Sequence, residues 1–240
     1  KLLGAPNLDR GKTVVIVQDC FTSFYDADVL LAQIELVQKL GFHPVVLAYR
    51  EAGKPLHVRG FLDRFTQVAR RNAQDLYALD QAGFCLVGVD GATTLIYRHE
   101  YPEPLPNGPD FKVLLLSEWL VKIDLPGLQA DNTFTLIQHC TERSLTPESA
   151  GQWATIFKEV GIEVKILKAG CCGMSGLFGH ETAHQEISNT LYDQNWRDVV
   201  TTATDETLVA TGYSCRSQVK RLSHVRALHP AQVLLNSWPK

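Results

Sequence analysis

The chain repeats itself. Its two halves align without a gap at an offset of 120 residues: Cys20 falls on Cys140, Gly41 on Gly161, Leu47 on Leu167 and Gly53 on Gly173. Glu51 and Ala52 fall on Cys171 and Cys172, and Asp90-Gly91 comes near Cys215 once a few inserted residues are allowed. A repeat of this length constrains the fold more than any other feature, because both halves must adopt the same architecture. In each half, short β-branched runs alternate with helical patterns, which implies parallel sheets with crossover helices. The expected class is α/β, with two tandem pseudo-repeated units, each a small mainly parallel sheet flanked by helices. The units are expected at 1–124 and 125–240, with Leu125-Pro126-Gly127 as the linker.

After a polar lead-in over 1–12, the spacing predicts strands at Val14–Val17, Val45–Leu47 and Phe84–Val89, and helices at Val29–Leu40 and Phe61–Leu79. Glu51–Pro55 reads as a turn, Val113–Lys122 as a helix, though apolar enough to be a strand, and the loop Tyr101–Pro109 as a connection. In the second half, strands are expected at Phe134–Ile137, Val164–Leu167 and Thr207–Ala210. Helices are expected at Pro147–Val160 and Thr182–Tyr192, with a last one opening at His229-Pro230. Gly41 and Gly161 each close a helix. Ligands of parallel sheets sit at the carboxyl ends of the strands, and Cys140, Cys171 and Cys215 all lie at or just past such ends.

With 240 residues, 45% of them hydrophobic, the chain can bury a substantial core, and a net charge of −3 does not point to nucleic acid. No apolar run reaches the roughly 18 residues of a spanning helix. The first residue is lysine and no signal peptide is visible, so the sequence reads as a fragment of a longer polypeptide. Six cysteines are too few for a disulfide scaffold at this length. The expected location is therefore the cytoplasm, either free or peripheral at the inner face of the membrane.

Two adjacent cysteines within Gly170-Cys171-Cys172-Gly173-Met174-Ser175-Gly176 suit a metal better than a disulfide. Neighbouring cysteines rarely pair, and a Gly-rich turn can aim sulfurs and backbone N–H groups at one anionic centre. Cys140, Cys171, Cys172 and Cys215 are four thiolates, enough for one [4Fe–4S] cluster or a structural Zn²⁺. The short Cys-x₂₋₄-Cys knuckles usual for zinc are absent. His139, Gly173, Met174, Ser175, His180 and Gln218 flank these cysteines as candidate supports. Cys85 reads as a buried strand residue, Trp153 and Trp196 as core, and the basic run Arg216, Lys220, Arg221, His224 and Arg226 as a solvated helix face. No Ser–His–Asp order, P-loop or dinucleotide fingerprint is visible.

The spacing of Cys140, Cys171-Cys172-Gly173 and Cys215 resembles the duplicated cysteine-rich CCG domain family. That family occurs in heterodisulfide reductase B subunits, in the C subunit of anaerobic glycerol-3-phosphate dehydrogenase, and behind FAD-linked oxidases. Gly170–Gly176 with Phe178-Gly179-His180-Glu181 resembles the CCGMAGSFGYE stretch of the FAD-linked branch. Gly212-Tyr213-Ser214-Cys215-Arg216-Ser217-Gln218 resembles its GTSCRHQ, and His229-Pro230 its later HP. The resemblance implies the electron-transfer module of a flavin-dependent D-2-hydroxy acid dehydrogenase, acting on D-2-hydroxyglutarate or D-lactate. It implies a [4Fe–4S] cluster on Cys140, Cys171, Cys172 and Cys215. FAD and a ferredoxin-like segment would lie elsewhere in the parent chain, electrons would leave to a downstream acceptor, and no catalytic residue is expected within this sequence. The alternative is a non-redox assembly domain with a zinc or relic cysteine site. A heterodisulfide-reductase-like thiol enzyme would need a fifth cysteine, where this chain has Gln218. The first copy has Glu51, Ala52, Asp90 and Thr93 at its ligand-like positions, so no metal is expected there.

Overall fold

The computed structural model describes residues 3, 8–130, 133–202 and 207–239; half of the lead-in, residues 1, 2 and 4–7, lies outside them. The chain divides into two compact units, Lys1–Trp119 and Leu120–Lys240.

The first unit has four parallel strands, β1 (Thr13–Val17), β2 (His43–Val46), β3 (Cys85–Gly88) and β4 (Val113–Leu114), in the order β2-β1-β3-β4. Its helices are α1 (Cys20–Phe24), α2 (Ala27–Lys39), α3 (Lys54–Val58), α4 (Leu62–Gln81), α5 (Gly91–His99) and α6 (Leu116–Leu120). Every residue of β1 is buried, as expected for a central strand covered on both faces. Alternation divides its side chains. Val15 and Val17 pack with Phe65, Ala69, Ala73 and Leu76 of α4. Ile16 packs on the other face with Val29 and Leu30 of α2.

The second unit has three parallel strands, β5 (Phe134–Ile137), β6 (Val164–Leu167) and β7 (Leu208–Ala210), in the order β6-β5-β7. Its helices are α7 (Cys140–Leu145), α8 (Ser149–Glu159), α9 (Gln185–Asn195), α10 (Arg197–Thr201), α11 (Tyr213–Ser223) and α12 (Pro230–Asn236). A single parallel bridge, Val209 to Leu228, stands where the first unit has β4. The repeat is visible in backbone detail. Gly41 and Gly161 both end a helix at φ +80°, and Gly53 and Gly173 turn the chain after the second strand of each unit at φ +87° and +85°.

Several elements differ from the sequence reading. Val113–Lys122 is not one helix: Val113 and Leu114 pair with Leu86 and Val87 as an edge strand, and α6 follows. The free edge of β3 offers a full set of ladder partners, and that outweighs local helical propensity. Glu51–Pro55 is not only a turn, since Gly53 opens α3 with Pro55 in its first turn. The helix expected from Thr182 opens as a 3₁₀ turn, Thr182–His184, before α9 runs to Asn195. Cys85 is the first residue of β3 but only half-buried. Among the described residues, no helix is long and apolar enough to cross a membrane.

Candidate metal centre

The four cysteines of the second unit come from three loops at the carboxyl ends of its strands. Cys140 opens α7 just beyond β5. Cys171 and Cys172 lie in the turn beyond β6, and Cys215 lies in the first turn of α11 beyond β7. They meet side by side. The Cys171 sulfur interacts with those of Cys140 and Cys172, and the Cys172 sulfur in turn with that of Cys215. Cys172 and Cys215 are each 2% exposed, whereas Cys140 and Cys171 are half-buried. All are free thiols.

Charge is unevenly distributed along this row. Interactions with the Cys140 and Cys172 thiols favour negative charge on the Cys171 sulfur and pull its pKa well below the ordinary range. The Gly173 N–H adds a bond to the Cys171 Sγ at 3.4 Å, and His139 favours the same charge. Cys140 and Cys172 are pushed up by their bonds to neighbouring sulfurs and by burial. Backbone donors at Thr141 and Met174 oppose that rise.

Local sequence builds each loop. Gly173 could not be another residue: its φ is +85°, and an added Cβ would lie 2.2 Å from the Ser188 carbonyl oxygen. Gly170 fits closely against Asn195, and its carbonyl accepts the Trp196 Nε1–H at 3.0 Å. Arg143 donates to the Ala169 carbonyl. Met174 is fully buried in the apolar cluster that also contains Cys172, Cys215, Tyr192 and Trp196. The His139 ring lies over Gly212, where a Cβ would come within 2.3 Å of it. Its Nδ1 accepts from the Thr141 N–H and caps α7.

Three more of the candidate supports lie in α11 and in the turns after Met174. Gln218 is buried and donates to the Ser188 Oγ at 2.9 Å, joining α11 to α9. Ser175 takes φ +41° in the exposed turn after Met174. His180 is exposed in the 3₁₀ turn Phe178–His180. The basic run is also not one solvated face. Arg216 is 6% exposed and donates to the carbonyls of Ala210 and Thr211. Arg221 is half-buried against Gln218 and Asn189, while Lys220, His224 and Arg226 are exposed. The sequence reading passed over Glu142, Thr211 and Ser149. Glu142 looks like an ordinary acid in the first turn of a helix, and nothing local signals that it is 2% exposed.

The donor set fits an anionic thiolate-bound group: four sulfurs in contact, backbone N–H groups directed at them, and the N-terminus of α11 beside Cys215. Among the described residues, no three His, Cys, Asp or Glu side chains are arranged to hold a single metal ion. As thiols the sulfurs are packed to hydrogen-bond one another, and ligation requires them deprotonated and turned to a common centre. In the first unit the same place holds Asp19, Cys20 and Asp90. Burial and the Asp90 charge raise the Asp19 pKa, and burial with these two carboxylates pushes the Cys20 thiol up to about 11.

The chain carries, over residues 134–220, a match to the cysteine-rich domain family CCG. It is homologous to the C-terminal region of D-2-hydroxyglutarate dehydrogenases. The chain is 42% identical over 240 residues to the enzyme of that name from Haemophilus influenzae, covering 95% of this chain and 23% of the relative. It is 40% identical to the one from Escherichia coli, covering 94% of this chain and 23% of the relative. The C subunit of the anaerobic glycerol-3-phosphate dehydrogenase of Escherichia coli is 23% identical, with 92% of this chain and 58% of that protein covered. The chain thus spans less than a quarter of the D-2-hydroxyglutarate dehydrogenases it matches. A crystal structure of a hypothetical protein from Helicobacter pylori shares the fold with a TM-score of 0.64 at 15% identity, covering 97% of this chain and 50% of that one.

Proposed function

We propose that the second unit is an iron–sulfur electron-transfer module of a flavin-dependent D-2-hydroxy acid dehydrogenase of the D-2-hydroxyglutarate class. The observation that carries this reading is the row of four contacting cysteines drawn from three strand-end loops. A [4Fe–4S] cluster held by Cys140, Cys171, Cys172 and Cys215 would supply one-electron transfer between a flavin elsewhere in the parent chain and a downstream acceptor. The protein supplies the surroundings. Cys172 and Cys215 shield one side from water, and the half-buried Cys140 and Cys171 leave the other open to a partner. Backbone donors at Gly173, Thr141 and Met174, with the buried Arg216 nearby in α11, offset negative charge on the sulfurs. The flavin and ferredoxin-like domains of the parent chain are the proposed partners, and the cytoplasm is the proposed location.

The test uses the full-length dehydrogenase under anaerobic conditions. Adding D-2-hydroxyglutarate should reduce the flavin and then bleach the iron–sulfur absorbance. In Cys172→Ala the flavin should still be reduced by substrate, while acceptor reduction falls at least tenfold. Wild-type acceptor turnover in that variant would overturn the relay role.

A further inference from the structure

We propose that Glu142 is a positioning residue for the cysteine row, latching the Cys140 loop to the Cys215 loop through Thr211. Glu142 lies in the first turn of α7, two residues after Cys140, and is 2% exposed. One carboxylate oxygen accepts from the Thr211 hydroxyl at 2.5 Å. The Thr211 oxygen in turn accepts the backbone N–H of His139 at 2.9 Å. Thr211 directly precedes Gly212, the N-cap of the helix that carries Cys215. The other carboxylate oxygen accepts from the Ser149 hydroxyl at 2.6 Å, and Ser149 accepts from the Gln138 side chain at 2.6 Å. Residues on both sides of Cys140 and the residue entering the Cys215 helix are therefore tied to one buried carboxylate.

Helix capping alone does not account for this arrangement. The cap of α7 is already made by His139, and the Glu142 oxygens turn to other elements instead. Burying an acid is costly unless its oxygens are hydrogen-bonded. A carboxylate accepts from both hydroxyls at once, leaving each hydroxyl oxygen free to accept its backbone or amide donor. Glutamine at this position offers one accepting oxygen and an NH2 group that only donates, so one of the two hydroxyls has no acceptor for its proton. The third loop, carrying Cys171 and Cys172, is held by Trp196 at the Gly170 carbonyl and reached from α7 through Arg143 at the Ala169 carbonyl. The latch therefore acts directly on the Cys140 and Cys215 loops. Its importance for cluster binding rests on the iron–sulfur reading, whereas the latch itself does not.

The experiment labels the reduced, metal-free chain with iodoacetamide and maps the rate at each cysteine by mass spectrometry. Glu142→Gln and Thr211→Val should speed labelling of Cys140 and Cys215 about tenfold while Cys172 stays slow. Thr211→Ser, which keeps the hydroxyl, should label like wild type. Equal acceleration at Cys172 would reduce Glu142 to a general stabilising role, and unchanged rates at Cys140 and Cys215 would remove the latch. A separate anaerobic iron reconstitution of wild type tests the iron–sulfur reading alone. If that fails while the selective labelling is seen, the latch stands and the cluster does not.

Discussion

At the scale of single residues, Gly173 does the most to bring the sulfurs together. It combines a left-handed backbone with a contact to Ser188 that leaves no room for a methyl group. Gly173→Ala should cost on the order of 1–3 kcal/mol from backbone strain alone, with the steric clash added, and should lower the thermal midpoint of the second unit. Asp19 offers a second test. Its folded pKa is raised above the 3.8 of an ordinary aspartate by burial and by Asp90. A raised acid opposes folding as it ionises, so this cost is absent below the unfolded pKa and grows as pH rises through the folded one. Asp90→Asn keeps a good helix cap and removes the neighbouring charge. Its denaturant midpoint should match wild type in acid and exceed it at neutral pH by about 1 kcal/mol in stability. The cysteines were legible as candidate ligands because adjacent thiols between glycines have few other uses. Glu142 and Arg216 were not, because sequence shows charge but not which charges a fold encloses.

At the scale of elements, strand–loop–helix junctions place the chemistry. Each cysteine-bearing loop of the second unit leaves the carboxyl end of a strand, and two of the three lead directly into a helix. The Trp196 indole, at the junction of α9 and α10, holds the CCG loop by its hydrogen bond to Gly170. Trp196→Phe removes that bond while keeping an aromatic ring in the core, and should destabilise the second unit by roughly 1 kcal/mol, the net worth of a part-buried hydrogen bond, read by urea denaturation. The strands and longer helices were legible from periodicity, and the helix-ending glycines fixed their limits. The edge strand β4 and the start of α9 were not. A two-residue strand has no period of its own and exists because β3 presents a free edge.

At the scale of the whole molecule, a duplicated architecture carries a sulfur row in one copy only. The first unit keeps the strand order, both turn glycines and the capped helix that opens at Cys20, yet Glu51, Ala52 and Thr93 stand at its ligand-like positions. Cys20→Ser and Cys85→Ser should therefore leave iron content unchanged. The repeat was legible from the sequence as an offset of 120 residues, since glycine and cysteine positions tolerate little drift. The hydrogen-bond chain through Glu142, Thr211 and Ser149 was not, because its members are 7 and 69 residues apart in sequence. The most direct measurement is iron and acid-labile sulfide per chain after anaerobic reconstitution, with an EPR spectrum of the dithionite-reduced protein. About four irons and four sulfides, with a reduced-cluster signal lost in Cys172→Ala, is the predicted result. No iron with one zinc bound per chain would contradict it, and would make this unit a structural module.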